Sequence, residues 1–249
     1  MKLLSLSHND IYRGSLILVN QAHGLDESAA EDLVPVTDAQ PDVLMQRPAA
    51  KALAGLMDAI EGWRHIAFVS AWRSHREQQE IWDQSLRESG LEFTQTYVAV
   101  PGHSEHQTGL AMDLGAKKEQ IDFICPDFPY TGPCQDFRES AAGYGFILRY
   151  PEGKESVTGI GHEPWHFRYV GAPHAAVMQK HDMTLEEYID YLKQFPYGKG
   201  LRWMTGDGRE VCISYMETGA NPIHLELPED DSWSLSGNNV DGFILTEWR

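Results

Sequence analysis

The sequence predicts an α+β protein, in which helices and short strands build one large folded part that is followed by a small β-rich part. Residues 74–77 and 184–187 each have the form of a capping box, S/T-x-x-E, which predicts the start of a helix. Runs rich in β-branched and aromatic residues lie between the predicted helices and predict strands. Near the C-terminus, Asp207-Gly208 stands between two apolar runs, the pattern of a β-hairpin.

The local patterns predict the individual elements in chain order. Pro48 at the first turn is typical of a helix start, and Gly90 is expected to end the second helix. Residues 21–46 are expected to be irregular, and residues 116–137 to form a long loop that acts as a functional flap. The predicted helices are 48–60, 74–89 and 184–195, and the predicted strands are 15–20, 65–72, 109–114, 145–151, 166–170, 201–204, 211–215, 224–227 and 243–246.

Composition limits the class of protein. A chain of 249 residues with 42% hydrophobic and 23% charged residues can bury a sizeable core, and we predict a catalytic domain of residues 1–199 with an appendage of residues 200–249. The formal net charge of −17 disfavours nucleic acid and anionic membranes as partners. The N-terminus lacks the apolar core of a secretory signal and no run is long enough to span a membrane, so we expect a cytoplasmic protein. Three cysteines without a C-x-x-C motif predict reduced thiols.

Two stretches of the chain, 104–115 and 161–169, carry the candidate chemistry. Together they offer His106, Asp113 and His166, and two imidazoles with one carboxylate form a ligand set suited to a catalytic zinc ion. Asp113 lies in an otherwise apolar run, where an unpaired carboxylate is costly to bury. Pairing of Asp113 with backbone donors is the alternative. The sequence predicts one Zn²⁺ per chain.

Glu163 and Arg73 are the candidates for proton transfer and charge stabilisation. In a regular strand, residues 163 and 166 would point to opposite faces, but a bend at Pro164 would bring both side chains into one cleft. Glu163 would then take the proton of the attacking water and pass it to the leaving amine. Arg73, at a predicted strand-to-helix junction, would stabilise the oxyanion. Three further histidines near the motifs are predicted to be surface or packing residues: His103, His162 and His174.

These motifs resemble those of the VanX/VanY D-Ala-D-Ala metallopeptidases, and within that family the bifunctional VanXY enzymes. The resemblance covers residues 15–195 and implies an α+β fold of the hedgehog/D,D-peptidase-like type, with an antiparallel sheet as the floor of the cleft. The motifs that carry it are Ser104-x-His106-x-x-Gly109-x-Ala111-x-Asp113, Glu163-Pro164-Trp165-His166 and Arg73-Ser74-x-x-x-Gln78.

The resemblance also implies a role for each matching residue. The implied substrates are the D-Ala-D-Ala dipeptide and cytoplasmic peptidoglycan pentapeptide precursors, whose terminal D-Ala is removed. Both reactions deplete the target of vancomycin. The implied roles are zinc ligands at His106, Asp113 and His166, the base at Glu163, a transition-state contact at Arg73, and substrate contacts at Ser104 and Gln78.

Two other functions compete with this hypothesis. A peptidoglycan endopeptidase of the same fold is expected to carry export or wall-binding features, and neither is evident in the sequence. A zinc-containing binding module is expected to lack the base or the oxyanion donor, whereas Glu163 and Arg73 are both present. The sequence leaves open the ratio of the two activities, the discrimination against D-Ala-D-Ser and D-Ala-D-lactate, the role of residues 200–249 and the oligomeric state.

Overall fold

The computed structural model describes residues 1–25, 30, 32–230 and 232–249. The strands in these residues are β1 (Lys2–Leu6), β2 (Leu33–Thr37), β3 (Gln40–Gln46), β4 (Ile66–Ser70), β5 (Ala111–Ala116), β6 (Phe146–Leu148), β7 (His166–Tyr169), β8 (Leu201–Met204), β9 (Glu210–Glu217), β10 (Ile223–Leu227), β11 (Trp233–Gly237) and β12 (Gly242–Trp248). The helices are α1 (Arg47–Ala59), α2 (His75–Tyr97), α3 (Gly132–Ser140), α4 (Glu155–Thr158), α5 (Ala172–His181) and α6 (Leu185–Leu192).

The chain divides into two compact units, and these units do not follow the predicted division at residue 200. One unit is Val19–Ala175, and the other joins Met1–Leu18 to Ala176–Arg249. The N-terminal residues belong to the second unit because β1 pairs with β10 in an antiparallel ladder. The domains 1–199 and 200–249 stay a prediction, since compactness by itself does not show which part folds alone.

The unit Val19–Ala175 is built on a four-stranded antiparallel sheet in the order β4-β5-β7-β6. Side chains alternate between the two faces of a strand, and on one face Met112, Leu114 and Phe167 are fully buried in the hydrophobic core. The helix α1 packs its apolar stripe, which includes Leu53, into the same core. The opposite face of β5 and β7 is therefore available for polar side chains.

The helix α2 begins as predicted, and its first helical segment ends at Gly90 as predicted. Ser74 accepts a hydrogen bond from the backbone N–H of Glu77, and the Glu77 carboxylate accepts one from the backbone N–H of Ser74, which completes the capping box. Gly90 has φ 82° and interrupts the helix, which then continues to Tyr97. The helical segment after Gly90 was not indicated by the sequence patterns.

Several other predicted elements differ from the structure. Residues 15–20 form no strand: the backbone N–H of Leu18 donates to the carbonyl of Asn238, but no ladder develops. Within the stretch expected to be irregular, β2 and β3 form a hairpin. The last part of the predicted loop 116–137 belongs to α3, which has a proline in its first turn. The elements that the patterns did not indicate are β1, β2, β3, β11, α3, α4 and α5.

The unit Met1–Leu18 with Ala176–Arg249 contains a second antiparallel sheet, in the order β11-β12-β9-β8. The predicted hairpin at Asp207-Gly208 is confirmed, since β8 pairs with β9 around a turn in which Gly208 has φ 85°. The three cysteines are free thiols, as expected. Among the helices of the described residues, not one combines the length and apolar character that crossing a membrane requires.

His174 in α5 gives the stability of the fold a specific pH dependence. Its side chain is buried, and burial lowers the pKa of the imidazole from 6.5 to about 3. Between these values the unfolded chain binds a proton that the folded chain does not, so stability is complete above pH 6.5 and is lost as the pH falls. We expect the free energy of unfolding to fall by about 1.4 kcal/mol per pH unit more in the wild type than in His174→Gln over this range.

Urea denaturation at several pH values between 7.5 and 4 measures this difference. The matched control is His224→Gln, because His224 is exposed on β10 and should leave the pH profile of the wild type unchanged. Parallel profiles for the wild type and His174→Gln would contradict the prediction.

Candidate active site

The register of the central sheet places two of the candidate zinc ligands directly opposite each other. Asp113 on β5 is the cross-strand partner of His166 on β7, so both side chains leave the sheet on the same face. His166 Nδ1 lies 2.9 Å from Asp113 Oδ1. This antiparallel pairing explains how residues that are distant in sequence converge on one point.

His106 reaches the same point from a short 3₁₀ turn, Glu105–Thr108, which leads into β5. The turn ends at Gly109, whose φ of 70° suits glycine and redirects the chain into the strand. His106 Nδ1 lies 2.7 Å from the carbonyl oxygen of Ala71, and Nε2 lies 3.1 Å from Asp113 Oδ2. A hydrogen bond from Nδ1–H to that carbonyl leaves Nε2 as the free lone pair, the tautomer required for a metal ligand.

These three side chains fit a divalent metal. One ligand atom from each lies within 4.8 Å of the other two, and the three residues are the group among the described residues that could hold a metal ion. Ligands of a tetrahedral zinc ion, at about 2.0–2.2 Å from the metal, lie about 3.3 Å from one another, close to the separations found here. All three residues are at least 95% buried: His106 is 4% exposed, Asp113 5% and His166 4%.

Glu163 lies beside this cluster, in the turn that precedes β7. Its Oε2 lies 3.6 Å from His166 Nδ1, and the backbone N–H of His166 donates to the carbonyl of Glu163. The predicted bend at Pro164 is present, because residues 164–165 form a turn and both side chains lie in one cleft. Burial raises the pKa of Glu163 to about 8, against the opposing charge of His166.

Arg73 is held at the edge of the cluster by two contacts. One guanidinium nitrogen donates to Asp113 Oδ2 at 3.1 Å and the other donates to Gln78 Oε1 at 3.1 Å. Gln78 is fixed in turn, because its amide nitrogen donates to the carbonyl of Ala99 at 2.8 Å. Ser104 is buried and lines the cleft one turn ahead of His106. The structure thus brings together all seven residues that the sequence singled out.

A buried ion cluster beneath the site was missed by the sequence analysis. Glu105 Oε1 accepts hydrogen bonds from Arg149 Nε and Arg168 Nη1, each at 2.8 Å, and all three side chains are fully buried. The second oxygen of Glu105 lies 3.5 Å from His166 Nε2. Because a metal-binding histidine commonly gives its other N–H to a carboxylate, Glu105 is placed to orient His166. The sign of this ion cluster in the sequence was a single acidic residue, Glu105, inside the first motif.

The charges of the site depend on one another. Burial alone would raise the pKa of Asp113, but the neighbouring imidazoles of His106 and His166 outweigh it and hold that pKa well below its usual range. Burial, together with the charge of Arg73, lowers the pKa of His106 to about 4. Burial also opposes the charged form of His166, yet its hydrogen bond to Asp113 and the nearby carboxylate of Glu105 raise the pKa to about 9. His106 thus has the neutral form that a metal ligand needs, whereas His166 would lose its proton when a metal ion binds.

The cluster lies in a cleft that opens to solvent. Trp165 forms part of its wall, as predicted, and Phe123 and Ile124 from the long loop line it as well. The three histidines expected to be packing or surface residues lie outside the metal-capable group of the described residues. His103 Nδ1 contacts the carbonyl of Asn20 at 2.7 Å, while the ring of His162 bridges Tyr150 and Tyr130.

Two imidazoles, a carboxylate and a second carboxylate beside them, on the floor of an antiparallel sheet, are the arrangement of a mononuclear zinc peptidase. Comparison with known families agrees. Residues 42–172 match the family model of VanY, described as D-alanyl-D-alanine carboxypeptidase. The chain belongs to this family of zinc D-Ala-D-Ala peptidases.

Individual relatives place the chain more closely within the family. It is 45% identical over 184 residues to the bifunctional D-Ala-D-Ala dipeptidase and D-Ala-D-Ala carboxypeptidase VanXYC of Enterococcus gallinarum, an alignment that covers 72% of this chain and 96% of that protein. The crystal structure of the vancomycin resistance D,D-dipeptidase VanXYg, in complex with a D-Ala-D-Ala phosphinate analogue, superposes with a TM-score of 0.96 at 44% identity. That match covers 100% of this chain and 99% of VanXYg, so it includes residues 200–249.

A third comparison concerns the metal. A mutant of the vancomycin resistance D,D-pentapeptidase VanY from a VanB-type resistance cassette, solved in complex with Zn(II), superposes with a TM-score of 0.59 at 31% identity. The match covers 70% of this chain and 98% of that one. The predicted α+β fold and the predicted zinc cofactor are confirmed by these relatives.

Proposed function

We propose that this protein is a zinc-dependent D,D-peptidase that hydrolyses the D-Ala-D-Ala dipeptide and removes the terminal D-Ala from peptidoglycan pentapeptide precursors in the cytoplasm. Both reactions deplete the target of vancomycin and so confer glycopeptide resistance. The observation that carries the proposal is the cross-strand pair of Asp113 and His166 with Glu163 3.6 Å from the imidazole. The proposed chemistry lies wholly within the compact unit Val19–Ala175.

In this proposal His106, Asp113 and His166 hold the zinc ion. The fit rests on their burial, on the separation of their ligand atoms and on the carbonyl of Ala71, which leaves the Nε2 lone pair of His106 free. A zinc ion supplies Lewis acidity, which activates water and polarises the scissile carbonyl.

Glu163 is proposed to move the proton. Its carboxylate lies within the cleft at 3.6 Å from His166 Nδ1, so a water molecule beside the ligands is within its reach. Glu163 Oε2 accepts the proton of this water as the new C–O bond forms, and then returns it to the departing D-Ala nitrogen as the C–N bond breaks.

Arg73 is proposed to stabilise the oxyanion that forms on the substrate carbonyl. Its guanidinium is held by Asp113 and by Gln78, and a donor fixed in advance does not need to reorganise during the reaction. This contact gives Gln78 a supporting role besides its proposed substrate contact. Ser104, buried in the wall of the cleft, is proposed to bind the terminal part of the substrate.

Release of D-Ala from two substrates tests the proposal. The zinc-loaded protein is expected to release D-Ala from D-Ala-D-Ala and from a pentapeptide precursor, while a peptide ending in L-Ala-D-Ala is the control substrate. Removal of zinc by a chelator should abolish both activities, and added Zn²⁺ should restore them. A zinc-loaded protein that releases D-Ala from neither D,D-substrate would overturn the proposal.

A further inference from the structure

A second recess lies beside the candidate active-site cleft and takes no part in the chemistry proposed above. Its volume is about 320 Å³ and it opens to solvent, which puts it at the lower end of the range of ligand-binding pockets. The recess and the cleft share four lining residues, which are Val98, Ala99, Tyr150 and Ile160. The remaining walls of the recess are formed by Asn20, Gln21, Trp82, Gln95, Val100 and His103.

The chemistry of the recess suits the backbone of a bound peptide. The described residues that line it include no carboxylate, ammonium or guanidinium group, although the chain as a whole carries a formal net charge of −17. Side-chain amides such as Gln21 and Gln95 can both donate to and accept from a peptide backbone. Trp82 is half-buried and offers an aromatic surface. A wall without carboxylates also avoids repelling an anionic precursor.

Hydrogen bonds hold the chain segment that leads into the candidate active site against the segment around Asn20. His103 Nδ1 contacts the carbonyl of Asn20 at 2.7 Å, and the backbone N–H of Leu25 donates to the carbonyl of Gly102 at 2.8 Å. The segment 100–103 leads directly into Ser104 and the first zinc motif. The walls of the recess are therefore fixed relative to the proposed zinc ligands.

We propose that this recess binds the part of the precursor peptide that precedes D-Ala-D-Ala, an inference that rests on the proposed function. The leaving residue of a carboxypeptidase is the last residue of its substrate, so a longer substrate extends only toward its amino end. If the two terminal residues occupy the cleft, the part of the substrate left to reach the recess is those preceding residues. The free dipeptide has no atoms to place there, so the recess selects for the pentapeptide without affecting dipeptide hydrolysis.

Two substitutions that narrow or open the recess test this inference. Gln95→Trp places a large ring at an exposed position on α2, and Trp82→Ala removes an aromatic wall. We expect the KM for the pentapeptide to rise about tenfold in each variant, with kcat little changed, since the lost contacts are made equally before and during the reaction. Hydrolysis of D-Ala-D-Ala should stay within about twofold of the wild type. The control is Gln84→Trp, at an exposed position on the same helix that lines neither cavity.

Equal losses for dipeptide and pentapeptide, or no loss in the Gln95→Trp protein, would overturn the inference. A binding measurement separates it from the proposed function: calorimetry with the tripeptide stem, which lacks both D-Ala residues, requires no catalysis. Binding of this stem that is weakened by Gln95→Trp and not by Gln84→Trp supports the recess even in a protein that releases no D-Ala. Absence of stem binding in a protein that hydrolyses both substrates would overturn it.

Discussion

Replacement of Glu163 by glutamine is expected to lower kcat for D-Ala release from both substrates by about 10²–10⁴-fold. Glutamine keeps the shape of the side chain but cannot accept the proton of the attacking water. The zinc content should remain at one ion per chain, because Glu163 lies outside the group of three ligand atoms. Initial rates with each substrate and metal analysis of the same protein sample measure both expectations.

The control for this prediction is Glu152→Gln, which removes an exposed carboxylate from the loop after β6 and should leave kcat unchanged. A Glu163→Gln protein that keeps its zinc and more than a tenth of the wild-type kcat would show that another group moves the proton. Loss of zinc in that variant would instead make Glu163 a support of the metal site. Either result would contradict the proposal that Glu163 transfers the proton of the attacking water.

The chemistry of the site could be predicted from the sequence because its residue types are confined to two short motifs. His106 and Asp113 occur in one motif and Glu163 and His166 in the other, and few functions need this combination. The position of the site in space could not be predicted in the same way. It depends on the register that pairs Asp113 with His166, and register is set by tertiary pairing between strands that are distant in sequence.

The buried support of the site was harder to predict than the site itself. Glu105 lies between two motif residues, and an acidic residue in such a loop is more often solvated than buried. Arg149 and Arg168 lie in or next to strands, and the sequence patterns of these strands predict ordinary half-buried edge strands. Only the fold shows that β5, β6 and β7 bring the two guanidinium groups onto one carboxylate.

The missed secondary structure has similar causes. The strands β2 and β3 form a hairpin that includes prolines at positions 35 and 41, and proline within a run argues against a strand. The helix α5 has a weak amphipathic pattern, because nearly all its central residues are buried. Elements with strong local signals, such as α1 and the hairpin of β8 and β9, were predicted correctly.

Replacement of Glu105 by glutamine is expected to have the largest effect on stability. Glu105 is a shared partner of Arg149 and Arg168, and the glutamine would remove the negative charge that both buried guanidinium groups contact. Removal of one partner from a buried ion cluster commonly lowers the free energy of unfolding by about 3–5 kcal/mol. Urea denaturation of the zinc-free protein measures this loss without a contribution from the metal. The exposed residue Glu119 provides the control, Glu119→Gln, which should unfold like the wild type.

The same substitution should also weaken zinc binding, because Glu105 Oε2 lies 3.5 Å from His166 Nε2 and is placed to hold the ring in its liganding orientation. Loss of such a contact typically lowers metal affinity by about 10–100-fold, which competition with a chromophoric chelator can measure.

The double variant Glu105→Gln with Arg168→Met distinguishes the loss of stability from the loss of zinc affinity. Removal of one buried guanidinium charge should recover part of the lost stability, while zinc affinity stays low because the contact to His166 is still missing. Restored zinc affinity in the double variant would show that Glu105 does not support His166. A loss of less than about 1 kcal/mol in the free energy of unfolding of the single variant would show that Glu105 is not central to the stability of the ion cluster.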